Sequence, residues 1–330
     1  MRLGWREERP SLLNEQFFAR ADRPAAGPPR EVVGYGEHPP HIEWPNGARV
    51  AVQIVVNYEE GSEKTYPMGD DTNDIMAELP WAVDGQRDLA VESIYEYGSR
   101  AGIWRLLRVF DNAAVPVTFF GTAVALERNP DVAAKAVTRG DEVAAHGYRW
   151  SNHFEMTRDE EREAIRLAVQ SLSATIGSRP VGWYSREMSV NTRELVVEEG
   201  GFIYDSECYN DDLPYWTLVH GKPHLVVPYT LTVNDVRYIL GTGYGSPEHF
   251  LESARCELDR LRHDGDDVNR MMSIGLHPRI SGRPSRSDAL ARFIDYAQSV
   301  GDVWFARRVD IATTFRDQYP AARAFPEAKA

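Results

Sequence analysis

The sequence predicts an α/β protein folded as a deformed (β/α) barrel of seven or eight βα units, with a doubly wound open sheet as the alternative. From Ala48 onward, short runs rich in β-branched residues alternate with longer amphipathic stretches. Strands that alternate with helices form parallel sheets, because a parallel pair needs a crossover connection. No Gly-x-Gly-x-x-Gly follows the first predicted strand, which argues against a dinucleotide-binding fold.

The individual elements follow from these patterns. The predicted strands cover residues 48–56, 115–120, 141–146, 180–184, 202–206, 224–229, 271–277 and 302–307. Helices are predicted between them. One begins at Thr157, where Glu160 completes a capping box, and another ends at Gly200.

Three regions divide the chain. Residues 1–45 are rich in Pro, Arg and Glu and predict an extended N-terminal arm that wraps a neighbouring subunit or its own domain. Residues 46–318 form one predicted catalytic domain, and residues 319–330 form a tail.

The composition of the chain argues against several classes of binding partner. The net charge of −13 argues against nucleic acid and anionic membranes, because both repel an acidic surface. No apolar stretch is long enough to span a bilayer, and the first residues lack the apolar core of a secretion signal. Cys208 and Cys256 form no Cys-x-x-Cys motif and fit reduced thiols. We therefore expect a cytoplasmic protein with no nucleic-acid or membrane partner.

Polar side chains gather after the predicted strands. In (β/α) barrels the chemistry lies at the carboxyl ends of the strands, so these residues are expected to meet in one pocket. They are Asn57, Glu59, Glu60, His146, His153, Trp183, Tyr184, Arg186, Asp205, Asn210, Asp211, Asp212, His277 and Arg279.

This residue set predicts hydrolysis. A carboxylate takes a proton from water while a histidine protonates the leaving nitrogen. Because Glu59 and Glu60 carry like charges, one of the two has a raised pKa. A metal held by a carboxylate and imidazoles is the alternative way to activate the water. Trp183, Tyr184, Tyr209, Tyr215 and Trp216 form either a platform for a planar ring or barrel packing.

These residues, in this order, resemble the polysaccharide deacetylase (NodB-homology) family, which has a deformed (β/α) barrel and five motifs. "NYEEG" stands at the first motif, which implies that Glu59 is the catalytic base and Glu60 a metal ligand. "HGYRW" stands at the second motif, with His146 kept and Trp150 at the second ligand position. "IGLH" implies that His277 is the acid.

The remaining motifs are looser. "RPVGWYSRE" and "YDSECYNDDLPYW" match the third and fourth, which implies a catalytic role for Arg186 and a substrate contact for Asp205. By the same resemblance, Trp183, Tyr184, Asn210, Asp211 and Trp216 are expected to contact substrate. Asn234 and Asp235 are turn formers by residue type and substrate contacts by resemblance.

Longer segments, among them "ESIYEYGSRAG" and "VVPYTLTVND", look like the cofactor-independent allantoinases and the related cyclic imide hydrolases. That branch implies ring opening of a small cyclic ureide or imide and a homo-oligomer, dimer or tetramer. Two departures, "CYNDDLPYW" and "LHPR", put allantoin itself in doubt as substrate. An N-deacetylase of sugar or peptidoglycan fragments and a non-catalytic binding protein are the alternative functions.

The broken second motif leaves the cofactor open between none and one zinc ion. Glu60 and His146 alone hold a divalent metal poorly. His153 lies in a predicted loop and is the candidate third ligand. The alternative interpretation is that His153 is a surface residue that precedes a helix.

Overall fold

The computed structural model describes residues 27–28, 30–79, 81–264 and 268–325. Its nine strands belong to one sheet. They are β1 (Val50–Tyr58), β2 (Thr118–Gly121), β3 (Glu142–Ala145), β4 (Gly182–Trp183), β5 (Tyr204–Asp205), β6 (Tyr215–Val219), β7 (Lys222–Val226), β8 (Arg270–Leu276) and β9 (Val303–Phe305).

The α-helices lie between the strands. They are α1 (Leu89–Tyr97), α2 (Ile103–Ala113), α3 (Ala123–Arg128), α4 (Pro130–Arg139), α5 (Arg158–Ile176), α6 (Thr192–Glu199), α7 (Pro247–His263), α8 (Pro278–Ser281), α9 (Pro284–Ser299), α10 (Arg308–Gln318) and α11 (Ala321–Ala324). A π-helical segment, Gly98–Gly102, joins α1 to α2. Short 3₁₀ turns cover Pro45–Gly47, Tyr66–Met68, His153–Glu155 and Asp235–Tyr238.

The strand order is β6-β7-β5-β4-β3-β2-β1-β8, with β9 also pairing β1. Every pairing is parallel except the β6–β7 hairpin. The predicted deformed (β/α) barrel is confirmed as a curled half-barrel of βα units. Strand β6 was not predicted from the sequence. Its signal was a two-residue turn, His220–Gly221, in which both residues have positive φ, as a tight hairpin turn requires.

Strand β1 is the centre of the sheet and is buried along its whole length. Its register pairs Val56 with both Phe119 of β2 and Leu276 of β8. The carboxyl ends of β1, β2 and β8 therefore lie side by side, and β3 follows next to β2. Because parallel strands end at one edge, the residues that follow these strands are neighbours in space.

The boundaries of the predicted arm and tail remain predictions, since residues 1–26, 29 and 326–330 lie outside the described part. Within the compact unit 32–330, Ile42 and Trp44 are buried in a core cluster with Phe315 of α10. The C-terminal residues include α11, so they are helical as far as Ala324. Among the described residues, we find no helix with the length and apolar character that a membrane span requires.

Arg308 links the two ends of the half-barrel. Its side chain is fully buried at the start of α10, and burial lowers its pKa. It bridges β7 to β8, which no backbone pairing joins in the described part of the chain. Its guanidinium donates to the side-chain oxygens of Gln53, Ser206 and Ser273 and to the carbonyls of Val227 and Pro228.

Replacing this guanidinium leaves buried acceptors without donors. We expect Arg308→Met to lower the free energy of unfolding by about 3 kcal/mol. The matched control is Arg166→Met, because Arg166 is exposed and pairs only with its surface neighbours Glu163 and Gln170. Urea denaturation of both variants checks the prediction. Equal midpoints for the two variants would show that Arg308 does not hold the half-barrel together.

Candidate active site

A cavity of about 380 Å³ opens at the carboxyl ends of the strands. Its lining combines charged and amide side chains with aromatic and aliphatic ones. Its lining residues are Asn57, Glu59, Met76, His146, Trp150, Asn152, Phe154, Tyr184, Arg186, Glu187, Tyr209, Tyr229, Leu231, Asn234, Val236 and His277.

Glu59 lies at the centre of this polar group. Its side chain is buried, and one carboxylate oxygen, Oε1, faces two imidazoles. The Nε2 atom of His146 is 3.2 Å from Oε1, and the Nε2 atom of His277 is 3.5 Å from it. The other oxygen, Oε2, accepts a hydrogen bond of 2.8 Å from Nη1 of Arg279.

Arg279 is fully buried behind Glu59 and does not line the cavity. It is the second residue of the short helix α8 and lies two residues after His277. Its guanidinium also lies over the ring of Tyr95, at 4.4 Å from the centroid, and its Nε donates to the carbonyl of Met76. The Tyr95 ring and the Met76 carbonyl together hold the Arg279 guanidinium against the Glu59 carboxylate.

The charges around Glu59 set its protonation. Burial alone would raise the pKa of Glu59, but the Arg279 guanidinium and the two histidines outweigh it and hold that pKa well below its usual range. Glu59 is therefore ionised in the resting protein. It can accept a proton, and its hydrogen bonds with His146 and Arg279 fix its position.

His277 is oriented by Asp235. Its Nδ1 is 2.6 Å from Oδ1 of Asp235, whose Oδ2 accepts hydrogen bonds from the backbone N–H groups of His277 and Ser281. Burial would lower the pKa of His277, but Glu59 and Asp235 outweigh it and raise the pKa to about 9. His277 is therefore an imidazolium near neutral pH, with Nε2–H directed at the cavity.

His146 is fixed by a different partner. Its Nδ1 is 2.8 Å from the carbonyl oxygen of Tyr184, which can only accept, so Nδ1 carries a proton. The ring stacks on Tyr184 with an interplanar angle of 4°. Its Nε2 atom therefore faces Glu59 at the cavity wall.

Glu60 points away from this cavity. Glu59 and Glu60 directly follow β1, where the chain enters a turn, and they line different cavities. The two oxygens of Glu60 accept the backbone N–H groups of Glu59 and Arg279, each at 3.1 Å. Burial raises the pKa of Glu60 to about 7, with Arg279 opposing and Glu59 adding to the rise.

The residues present do not fit a metal at this site. Trp150 stands where the resemblance places a ligand, and His153 Nδ1 is 3.0 Å from Glu161 instead. Glu60 is held by backbone N–H groups, and the buried guanidinium of Arg279 already faces Glu59 and Glu60. Among the described residues, the ligand atoms of three such side chains approach within 4.8 Å only at Glu194, Glu198 and His220, on the outside of the barrel.

Three residues expected to contact substrate lie elsewhere. Trp183 is fully buried and its Nε1 donates to Glu207, because it precedes Tyr184 on the strand and points to the opposite side. Asp205 is buried against Arg193 and His224. Trp216 of the β6–β7 hairpin donates to the carbonyl of Tyr319 and packs against the core cluster that contains Trp44 and Phe315.

Asn210 and Asp211 line a separate cavity of about 330 Å³, which shares Tyr209 and Tyr229 with the first. Tyr184 and Arg186 do line the first cavity. The guanidinium of Arg186 lies 3.8 Å from the ring centroid of Trp150 and donates to Asp74. The structure thus brings together Glu59, His146, His277, Tyr184 and Arg186.

Sequence reasoning missed the roles of two residues. Arg279 was noted only as a residue after a strand, and Asp235 only as a turn former or substrate contact. The motif "LHPR" placed an arginine two residues after the histidine, which was the available signal for Arg279. No sequence signal linked Asp235 to His277, because the two are 42 positions apart.

The fold and this residue set define a NodB-like hydrolase class, and the comparisons agree. The polysaccharide deacetylase family matches residues 86–198. A Schizosaccharomyces pombe protein named "Putative polysaccharide deacetylase" is 36% identical over 84% of this chain and 93% of its own length. The chain belongs to the polysaccharide deacetylase family, whose members are hydrolases, and the resemblance described from the motifs is confirmed.

Two solved structures are similar over most of the chain. A "probable polysaccharide deacetylase" from Pseudomonas aeruginosa PAO1 is 47% identical with a TM-score of 0.85, covering 88% of this chain and 99% of that one. PuuE allantoinase is 46% identical with a TM-score of 0.86, covering 88% and 98%.

The π-helical segment Gly98–Gly102 packs directly against the site. A Cβ atom at Gly98 would lie 2.5 Å from Glu60 Oε1 and 2.7 Å from the backbone nitrogen of Arg279. Those two atoms are hydrogen-bonded to each other. Gly98 is therefore required for the close approach of the helix to the Glu60–Arg279 pair.

We expect Gly98→Ala to displace Glu60 and Arg279, and with Arg279 the carboxylate of Glu59 that it holds. Because small displacements of a positioned group slow catalysis, kcat should fall at least about tenfold. The control is Gly241→Ala, since a Cβ at Gly241 meets nothing within 4 Å. Steady-state kinetics and thermal melting of both variants check the prediction. A Gly98→Ala enzyme with the kcat of the parent would contradict the packing argument.

Proposed function

We propose that the protein hydrolyses the carbon–nitrogen bond of a small cyclic ureide or imide. The observation that carries the proposal is the position of Glu59, whose Oε1 faces both histidines while its Oε2 is held by buried Arg279. This arrangement supplies a proton acceptor, a proton donor and a fixed counter-charge without a metal site. The similarity to PuuE allantoinase supports the same conclusion.

A cyclic imide or ureide suits such a site chemically. Its ring nitrogen is flanked by a second carbonyl, which makes the attacked carbonyl more electrophilic and the leaving nitrogen less basic. The reaction therefore needs less Lewis-acid activation than hydrolysis of a simple acetamide. The proposal assigns no step to a metal.

The first step forms the tetrahedral intermediate. Water bound in the cavity attacks the ring carbonyl carbon while Glu59 accepts one of its protons. Glu59 is a weak base in the resting state, because the charges around it lower its pKa.

The second step breaks the ring. His277 donates its Nε2 proton to the ring nitrogen as the C–N bond breaks, and Glu59, 3.5 Å away, returns a proton to His277. The product is a carboxylate and an amide or urea NH group. The released amide or urea nitrogen is not basic and takes up no further proton. The proton of the new carboxylic acid therefore leaves to solvent.

Arg186 is assigned to the oxyanion. Its guanidinium lines the cavity, whereas Arg279 is enclosed behind Glu59. The ion pair with Asp74 and the stacking on Trp150 hold the guanidinium in position before substrate binds. His146 fixes the orientation of Glu59 from the other side.

An N-deacetylase of an N-acetylated sugar or peptidoglycan fragment is the second candidate, supported by the printed names of the fungal relative and the Pseudomonas structure. Assays on allantoin, succinimide, maleimide and dihydrouracil, run beside N-acetylglucosamine oligomers, separate the two. Ring opening supports the proposal, and release of acetate without ring opening contradicts it. A cytoplasmic location and a dimeric or tetrameric assembly belong to the same proposal.

Glu59→Gln removes the proton acceptor with little change in shape. We expect turnover to fall by about 10³-fold, within the range for loss of a general base. The matched control is Glu207→Gln. Glu207 is a buried carboxyl outside the cavity whose pKa burial raises to about 8, so it is largely neutral already. Activity in Glu59→Gln equal to that of the control would contradict the mechanism.

Asp235→Asn tests the acid. His277 has a pKa of about 9, so the alkaline limb of the pH–activity profile is expected near that value, as the imidazolium loses its proton. Removing the Asp235 charge lowers this pKa, and the alkaline limb should move down by roughly one pH unit or more. Profiles of kcat/KM against pH measure the shift. A fall in rate with an unmoved limb would assign Asp235 a structural role only.

A further inference from the structure

Three exposed apolar side chains surround the mouth of the reaction cavity. They are Phe154, Tyr209 and Leu231, with exposed fractions of 59%, 45% and 49%. Met76 and Val236, both half-buried, continue the apolar surface inward. We call these five residues the apolar collar. Single exposed apolar side chains are normal on a protein surface, but a group of them around one opening indicates a binding surface.

The collar is presented by anchored turns. Phe154 lies on the 3₁₀ turn His153–Glu155, which is held by the buried contact between His153 and Glu161 and by a hydrogen bond from the His153 backbone to the Glu187 carbonyl. Val236 follows Asn234, whose side chain accepts its backbone N–H at 3.0 Å. The apolar surface is thus present before a ligand arrives, which lowers the entropic cost of binding.

The charges at the mouth disfavour an anion. The guanidinium that lines the cavity, Arg186, is already paired with Asp74 at 2.5 Å. Glu187 is exposed and lines the same cavity, and its carboxylate has no ion-pair partner among the residues that the structure describes. An anionic substituent would therefore meet an unbalanced negative charge at the entrance.

Resting on the ring-opening function proposed above, we propose that the hydrolysed ring carries an uncharged apolar substituent, aryl or branched alkyl, that packs against the apolar collar. The ring lies against Glu59 and His277, and the substituent remains at the mouth beside Phe154 and Leu231. A polar substituent that packs against these apolar side chains gives up hydrogen bonds to water.

The test compares rings that differ only in the substituent. We would measure kcat/KM for hydantoin, 5-benzylhydantoin and hydantoin-5-acetate, and for succinimide beside 2-phenylsuccinimide. The expected result is that each aryl-substituted ring exceeds its parent at least about tenfold, as apolar contacts in a pocket typically give. Hydantoin-5-acetate is expected to be the poorest of the set.

The matched variants are Leu231→Asn and Leu240→Asn. Both leucines are about half exposed, at 49% and 52%, but only Leu231 lines the cavity. Leu231→Asn should lower the ratio of kcat/KM for 5-benzylhydantoin to that for hydantoin about tenfold, whereas Leu240→Asn should leave this ratio unchanged.

The outcomes separate the two proposals. If the protein opens rings but prefers the unsubstituted or charged ones, the proposal of an apolar substituent is wrong and the ring-opening function stands. If Leu231→Asn leaves the kcat/KM ratio of 5-benzylhydantoin to hydantoin unchanged but changes the number of subunits, the collar is a subunit contact. That result would also overturn the proposed apolar substituent. If no ring is opened and N-acetylated sugars lose acetate, the proposed function itself fails.

Discussion

The buried ion pair between Arg279 and Glu59 is the interaction on which the site depends. A carboxylate enclosed by β-strand ends would take up a proton if burial acted alone. The guanidinium at 2.8 Å keeps Glu59 ionised, and the ionised Glu59 in turn helps to raise the pKa of His277 to about 9. One buried cation therefore sets the protonation of both the proposed acceptor and the proposed donor.

The same pair explains why two glutamates stand next to each other. Glu59 and Glu60 line different cavities after β1, so they do not share one site. Glu59 faces the substrate cavity, and Glu60 binds the backbone of Arg279 from behind. Glu60 thereby holds the helix start that carries the arginine, and Gly98 gives it the space to do so.

How much the sequence predicted depends on the kind of contact. Glu59, His146 and His277, which follow β1, β3 and β8, all line the cavity, because the parallel register aligns those strand ends. Glu60 and Arg279 follow β1 and β8 as well but do not line it. Trp183 and Asp205 were expected in the cavity but lie in the interior. On a two-residue strand, the pattern of apolar and polar residues is too short to show which side a residue faces.

The sequence by itself determined the alternation of strands and helices, the parallel sheet and the residues that end its strands, since these follow from local periodicity and crossover geometry. The partners of the buried charges were decided only by the tertiary structure. Arg279 meets Glu59 across 220 positions, and Asp235 meets His277 across 42. A buried charge is stabilised by whichever groups the fold brings within hydrogen-bonding distance. The local sequence pattern around a charged residue does not predict which groups these are.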